Sequence, residues 1–283
     1  MKIGKHSGGV PTRELFAAYR KNGLEAMELS VSNKKEVHDA LPLTEIKQWA
    51  DEYGVELWSY HLPFATFNIA SLDNGRRATA VETYAELIKR AREIGVRRFV
   101  THPSAEPYTP EERADRISVC KESLVKLAEV GRQCDAIIAV EDLPRTCLGN
   151  CSAELLDLIS VDDSLGICCD TNHLLGEDLI EFISKVVHRV VTTHISDYDF
   201  IDERHWLPGE GRVDWQAVYK TLVEGGYQGA WMYEVGFRTP TKTLHRPRDL
   251  TCADFVRNAR EIFAGKPITV IGTPHPGLKM NVF

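Results

Sequence analysis

An aspartate and a histidine stand three residues apart in the segment GICCDTNHLLGED, residues 166–178. The apolar run before them, Ile167 to Cys169, is typical of a buried strand, and it ends at Asp170, with His173 close behind. Carboxylate and imidazole groups are common ligands of divalent metal ions, and both also transfer protons in enzymes. The segment therefore raises the question of whether other strands end in side chains of the same kind.

Short apolar runs alternate with amphipathic segments along nearly the whole chain. The amphipathic segments, such as residues 76–95, place apolar side chains at three- and four-residue spacing, which predicts helices. Strands that are short, almost continuously apolar and joined by helices are typical of parallel sheets covered on both faces. The eight predicted strands begin at Lys2, Ala26, Val55, Arg97, Ala136, Leu165, Arg189 and Ala230.

Eight strand–helix units of roughly 30 residues match the ~250-residue size of a TIM barrel. We therefore predict an α/β fold, a single (β/α)8 TIM barrel that forms one catalytic domain over residues 1–265. An open doubly wound sheet is the alternative, but no Gly-x-Gly-x-x-Gly follows the first strand. Residues 266–283 fall outside the repeat, and their prolines and glycines predict a short irregular C-terminal tail, packed on the barrel or on a neighbour.

The composition favours a small-molecule partner. The 283 residues carry a formal net charge of −7, and the pI near 5.8 disfavours broad contact with nucleic acid or an anionic membrane. No stretch approaches the length of a membrane-spanning helix, and the N-terminus lacks the apolar core of a signal peptide. Seven scattered cysteines fit a reducing compartment, so we expect a cytoplasmic protein. Assembly into a homo-oligomer stays open.

The strands of a TIM barrel direct their carboxyl ends toward one shared mouth, where active sites lie. Four successive predicted strands end in a carboxylate or an imidazole, at Glu141, Asp170, His194 and Glu234. Three carboxylates and one histidine make a set rich in oxygen donors, which suits Mn²⁺ or Mg²⁺ and tolerates Co²⁺ or Zn²⁺. We expect one divalent metal ion at these residues, with Mn²⁺ as the first choice.

Further ionisable side chains fall on the same rim of the predicted barrel, and they are His61, His102, His173, Glu203 and His205. The first two could form a second metal position that shares Glu141, and the other three could form a third. The alternative is that they bind substrate hydroxyls or orient the metal ligands. We expect this second role, since a lone histidine is more often a hydrogen-bonding group than a ligand.

The loops predicted at the mouth, residues 62–77 and 196–211, mix acidic and aromatic side chains with few cations. A barrel that cleaves DNA needs basic and intercalating groups there to hold a bent duplex. Phe64, Trp206 and Tyr198 instead suit an apolar wall around a small polyol, and the alternative for each is that it packs between loops. The loops therefore favour a sugar or sugar phosphate as the partner and make nucleic acid the weaker alternative.

The chain resembles the xylose-isomerase-like TIM-barrel superfamily of sugar isomerases and epimerases, to which endonuclease IV also belongs. The resemblance follows all eight units in order and spares only the tail. It is carried by the motifs HLPF (61–64), HPS (102–104), VEDLP (140–144), DTNH (170–173), HISD (194–197), ERHWLPGEGRVDW (203–215) and GYQGAWMYEV (226–235).

The resemblance implies roles for the residues named above. In the ketose 3-epimerases, the positions that match Glu141, Asp170, His194 and Glu234 hold one divalent metal, and the two glutamates also move protons. In endonuclease IV these four positions and those that match the five other rim residues hold three zinc ions. This chain has Glu203 where the nuclease pattern has aspartate, and His205 where the ketose 3-epimerases carry arginine.

We therefore expect a metal-dependent isomerase or epimerase that acts on a ketose or related hydroxyketone. Glu141 or Glu234 would take the proton beside the carbonyl, and the cation would stabilise the resulting enediolate. Proton return to the opposite face gives epimerisation, and transfer to the neighbouring carbon gives isomerisation. Dehydration of a sugar or keto acid would use the same site, and a zinc phosphodiesterase acting on abasic DNA is the other alternative.

Overall fold

Eight parallel strands form a closed barrel in the computed structural model, which describes residues 1–106 and 109–280. The strands are β1 (Ile3–His6), β2 (Ala26–Leu29), β3 (Glu56–His61), β4 (Arg98–Thr101), β5 (Ile137–Glu141), β6 (Gly166–Asp170), β7 (Val190–His194) and β8 (Trp231–Tyr233). Their order in the sheet is β7-β6-β5-β4-β3-β2-β1-β8, and a parallel bridge between Ile195 and Tyr233 joins its two ends. The predicted (β/α)8 TIM barrel is confirmed.

Helices follow the strands along the chain. Those in the described residues are α1 (Arg13–Asn22), α2 (Lys35–Asp39), α3 (Leu43–Tyr53), α4 (Asn74–Glu93), α5 (Arg113–Gln133), α6 (Ser152–Ile159), α7 (Leu179–Val186), α8 (Trp215–Glu224) and α9 (Cys252–Phe263). Helix α7 illustrates why they form. The side chain of Asp178 accepts hydrogen bonds from the backbone N–H groups of Ile180 and Glu181, and Phe182 and Val186 are buried.

The core has an inner and an outer part because alternate strand residues point to opposite faces of the sheet. In β6, Ile167 and Cys169 belong to the large cluster that includes the apolar faces of the helices. Cys168 between them packs instead with Val100 of β4 and Ala139 of β5 in a small separate cluster. This double burial explains why the strands are almost continuously apolar.

The segment after α9 packs on the barrel. Its strand β10 (Thr273–Pro274) pairs antiparallel with β9 (Leu244–His245), which lies between β8 and α9. The backbone oxygen of Lys279 accepts a hydrogen bond from Arg204 at 3.0 Å. In the part of the chain that the structure describes, no helix is long and apolar enough to cross a bilayer.

Candidate metal centre

Four adjacent strands bring the predicted metal ligands together at the carboxyl end of the barrel. Glu141, Asp170 and His194 are the last residues of β5, β6 and β7, and Glu234 directly follows β8. One ligand atom of each residue lies within 4.8 Å of those of the other three. The Nδ1 atom of His194 lies 2.7 Å from Glu141 Oε1 and 3.4 Å from Glu234 Oε2. Its distance to Asp170 Oδ2 is 3.7 Å.

The chemistry of this cluster fits a divalent cation. Asp170 and Glu141 are almost completely buried. The Oδ2 atom of Asp170 is inaccessible to solvent and accepts no hydrogen bond. Burying carboxylates side by side is unfavourable because each loses its hydration and repels the other, and a bound cation compensates both costs. These residues therefore suit a hard divalent metal ion.

The two glutamates differ in proton affinity. Burial raises the pKa of Glu234 to about 7, although His194 and His205 act against the rise. Burial acts on Glu141 in the same direction, but the imidazoles of His194 and His102 outweigh it and hold its pKa well below the usual range. A pair of carboxyl groups whose pKa values are separated in this way suits acid–base chemistry.

Glu28 of β2 is a member of the site that the sequence analysis did not identify. It is fully buried, and its Oε1 atom lies 3.0 Å from Nε2 of His194. The hydroxyl of Ser59 donates to the Oε2 atom of Glu28 at 2.7 Å. A carboxylate on the far nitrogen of a histidine fixes the orientation of the ring. The only signal in the sequence was an acidic residue inside a short apolar strand.

The other rim residues also meet at the site. His61 Nε2 and His102 Nε2 lie 3.3 and 3.1 Å from Oε2 of Glu141. On the other side, His173 Nε2 and His205 Nε2 each lie 3.9 Å from Oε2 of Glu203. Each of these two groups places its potential ligand atoms within 4.8 Å of one another. The structure thus brings together all the histidines that the sequence placed at the mouth.

Arg145 is the second residue that the sequence analysis did not identify. Its Nη2 atom lies 2.6 Å from Oε1 of Glu203, and Nη1 donates to Asp202 at 2.7 Å. Its Nε donates to Glu106 at 3.0 Å, so one guanidinium connects the loops after β4, β5 and β7. The backbone of Arg145 has a φ of 52°, a left-handed conformation that is strained for any residue other than glycine. A positive charge thus faces Glu203 at the rim.

A cavity of about 280 Å³, close to the lower end of the size of small-molecule sites, opens beside this cluster of carboxylates and histidines. Its wall includes Phe64, Leu143 and His173. Phe64 stacks on His102 with ring centroids 4.3 Å apart. Trp206 does not line this cavity, because its side chain is buried elsewhere and its indole N–H donates to Thr243.

Comparison with known proteins agrees with this architecture. A model of the xylose isomerase-like TIM barrel matches residues 16–253. An uncharacterised protein of Methanocaldococcus jannaschii is 29% identical over 191 residues, 63% of this chain and 64% of that protein. The chain therefore spans less than two thirds of that relative. A D-psicose 3-epimerase of Ruminiclostridium cellulolyticum is 26% identical over 224 residues, 76% of this chain and 74% of that protein.

Two further proteins are similar. A probable endonuclease 4 of Chloroflexus aggregans is 27% identical over 186 residues, 62% of this chain and 64% of that protein. Among solved structures, a D-tagatose 3-epimerase-like protein superposes with a TM-score of 0.80 and covers 93% of this chain and 97% of that one. Its sequence identity is 22%, so this likeness shows the fold alone.

Proposed function

Because the chain belongs to the xylose isomerase-like TIM-barrel family, we propose that it is a divalent-metal-dependent sugar isomerase or epimerase. Its substrate is a ketose or a related hydroxyketone. The observation that carries this proposal is the cluster of Glu141, Asp170, His194 and Glu234, whose ligand atoms converge at the mouth of the barrel. The similarity to a D-psicose 3-epimerase supports the same chemistry.

These four residues would hold the cation, with Mn²⁺ as the expected ion. A divalent cation supplies positive charge that stabilises an enediolate when a proton leaves the carbon beside a carbonyl. Glu141 and Glu234 move that proton. Glu141 ends β5 and Glu234 directly follows β8, and these two strands are not neighbours in the barrel, so we expect the two carboxyl groups to face the substrate from different sides. Two proton-transferring groups on opposite sides of one carbon suit epimerisation.

The cavity beside the cluster supplies the substrate site of this proposal. Phe64 and Leu143 form its apolar wall. His102, His173 and Glu203 line the same space and offer polar atoms to the hydroxyl groups of a sugar. His61 and His205 do not line the cavity themselves, but their rings lie 5.1 and 6.3 Å from those of His102 and His173, which do. Trp206 is left out of the substrate site because it is buried away from the cavity.

A solvent-exchange experiment tests the proposal. The Mn²⁺-loaded protein is incubated in D₂O with a panel of ketoses, and deuterium at the carbon beside the carbonyl is followed by NMR. We expect exchange with at least one ketose, and we expect Glu141→Gln and Glu234→Gln to abolish it while thermal melting stays near that of the wild type. Near-normal exchange in either variant would remove that glutamate from the proton transfer.

A specific observation favours one second candidate, a zinc phosphodiesterase acting on abasic DNA. The groups His61–His102–Glu141 and His173–Glu203–His205 adjoin the main cluster and could each hold a cation. The similarity to a probable endonuclease 4 points the same way. Cleavage of an abasic-site duplex by zinc-loaded protein, together with no exchange on any ketose, would select this candidate over the sugar enzyme.

A further inference from the structure

A second cavity lies at the opposite end of the barrel from the metal cluster. Its volume is about 330 Å³. Its wall includes Arg98, Ile137 and Val190, which are the first residues of β4, β5 and β7. The turn of residues 225–229, which precedes β8, completes the wall. The cavity is therefore at the amino ends of the strands, where none of the residues discussed above for catalysis lies.

The guanidinium of Arg98 is the charged group of this cavity. It stacks on the ring of Trp58, with Cζ 3.5 Å from the ring centroid. Its Nη1 atom donates a long hydrogen bond of 3.5 Å to the backbone oxygen of Trp58. Its Nε atom is inaccessible to solvent and has no hydrogen-bond partner. Among the described residues, Arg98 forms no ion pair, and Glu56, which attracts it from a distance, is paired with Lys2 instead.

Two neighbouring arginines each contact a carboxylate, which Arg98 does not. Arg97, the preceding residue, lies 3.0 Å from Asp135, and Arg92 lies 2.9 Å from the same carboxylate. Glu56, the acidic residue on the adjacent strand, forms an ion pair with Lys2. A guanidinium that is half withdrawn from water and contacts no carboxylate is unfavourable, although Glu56 attracts it from a longer distance. Burial accordingly lowers the pKa of Arg98.

We propose that this cavity is a binding site for a small oxyanion, held by the fork of N–H groups on Arg98. Phosphate and carboxylate share the geometry that a guanidinium binds through two parallel hydrogen bonds. His188 lines the same cavity and offers a ring N–H on the solvent side. The proposal does not depend on the sugar chemistry of the mouth, since the two sites lie at opposite ends of the strands.

The test measures thermal stability against anion concentration, because a ligand that binds only the folded chain raises its melting temperature. EDTA is present, and sodium chloride keeps the ionic strength constant. Wild type, Arg98→Met and Arg97→Met are compared in inorganic phosphate and, separately, in acetate. At a concentration about ten times Kd, we expect wild type and Arg97→Met to gain about 2–3 °C more than Arg98→Met.

Each outcome decides the proposal. Equal gains in all three proteins would mean a general salt effect or binding elsewhere, and would overturn it, as would no gain in phosphate or acetate. The anion that acts at the lower concentration distinguishes a phosphate site from a carboxylate site. If Arg98→Met does not fold, equilibrium dialysis of phosphate replaces melting, with Arg98→Lys as the variant. Binding that is several-fold weaker or lost in Arg98→Lys supports the fork, whereas no binding to the wild type, or equal binding to both proteins, contradicts it.

Discussion

Glu28 and His194 form a fully buried pair in which Nε2 of the imidazole lies 3.0 Å from one carboxylate oxygen and 3.1 Å from the other. The opposite nitrogen of the same ring, Nδ1, lies 2.7 Å from Glu141. Glu28 therefore holds the ring of His194 so that Nδ1 faces the carboxylates of the proposed metal site. Glu28 lies on β2 and His194 on β7, so the two residues are 166 positions apart in the sequence.

This pair makes Glu28 a positioning residue for the metal centre. We expect Glu28→Gln to weaken Mn²⁺ binding by about 10- to 100-fold, because loss of a carboxylate behind a metal-binding histidine typically has that effect. Titration followed by the electron paramagnetic resonance of free Mn²⁺ measures it. Ser59→Ala, which removes only the hydroxyl that supports Glu28, is the control and should lose less. Unchanged affinity in Glu28→Gln would show that His194 does not need the carboxylate.

Arg145 is expected to limit how many cations bind at the rim. Its guanidinium lies against Glu203, whose other oxygen faces His173 and His205. Arg145→Met removes that positive charge, so the carboxylate is free to attract a second cation. We expect bound Zn²⁺ to rise from one to about two per chain by elemental analysis. Arg145→Lys keeps the charge and should stay at one, and a count of one in both variants would contradict the expectation.

His102 and His173, which line the cavity, should affect substrate binding more than metal binding. We expect His102→Asn and His173→Asn to raise KM by several-fold with little change in kcat, since lost hydrogen bonds to hydroxyls weaken the ground state and the transition state together. Steady-state kinetics and metal analysis of the same samples measure both effects. A loss of bound metal in either variant would instead make that histidine a ligand.

Lys5 gives the stability of the chain a dependence on pH. It is 1% exposed, and its ammonium lies 4.3 Å from the ring centre of Phe237. Burial lowers its pKa from the ordinary 10.5 to about 7, although Cys252 and Glu234 act against the shift. Between pH 7 and pH 10.5, Lys5 is protonated in the unfolded chain and mostly neutral in the folded chain. Folding therefore releases a proton in this range, and the contribution of Lys5 to the free energy of unfolding rises with pH.

We therefore expect Lys5→Met to stabilise the protein most below pH 7, by an amount on the order of a few kcal/mol, and progressively less towards pH 10. Urea denaturation at pH 6.5 and pH 9.5 measures the difference between variant and wild type. A difference that is the same at both pH values would mean that Lys5 titrates normally in the folded state.

The strand ends could be read from the sequence because an apolar run that stops at a polar residue marks both the strand and its terminus. Asp170 and His194 illustrate this, and each is the last residue of its strand. Glu28 was missed for a physical reason. Its strand, Ala26–Leu29, has four residues, too few for an alternation pattern to show which face a side chain takes. The pairing of β2 with β1 and β3 decides which face of the sheet Glu28 takes.

Arg145 and Trp206 show the same limit for loops. The partners of Arg145, Glu106 and Asp202, lie 39 and 57 positions away, so no local pattern could reveal them. An aromatic residue in a predicted mouth loop is equally suited to a ligand wall and to packing between loops. Trp206 takes the second role, and its backbone pairs with that of Asp197.

The number of divalent cations bound per chain tests the single-metal centre most directly. The protein is purified without chelator, loaded with Mn²⁺ or Zn²⁺, desalted and measured by elemental analysis against protein concentration. We expect one ion per chain in the wild type and none in Asp170→Asn, which removes the charge of a ligand buried among the others. Zero ions in the wild type, or three Zn²⁺ ions together with cleavage of abasic DNA, would contradict a single-metal sugar enzyme.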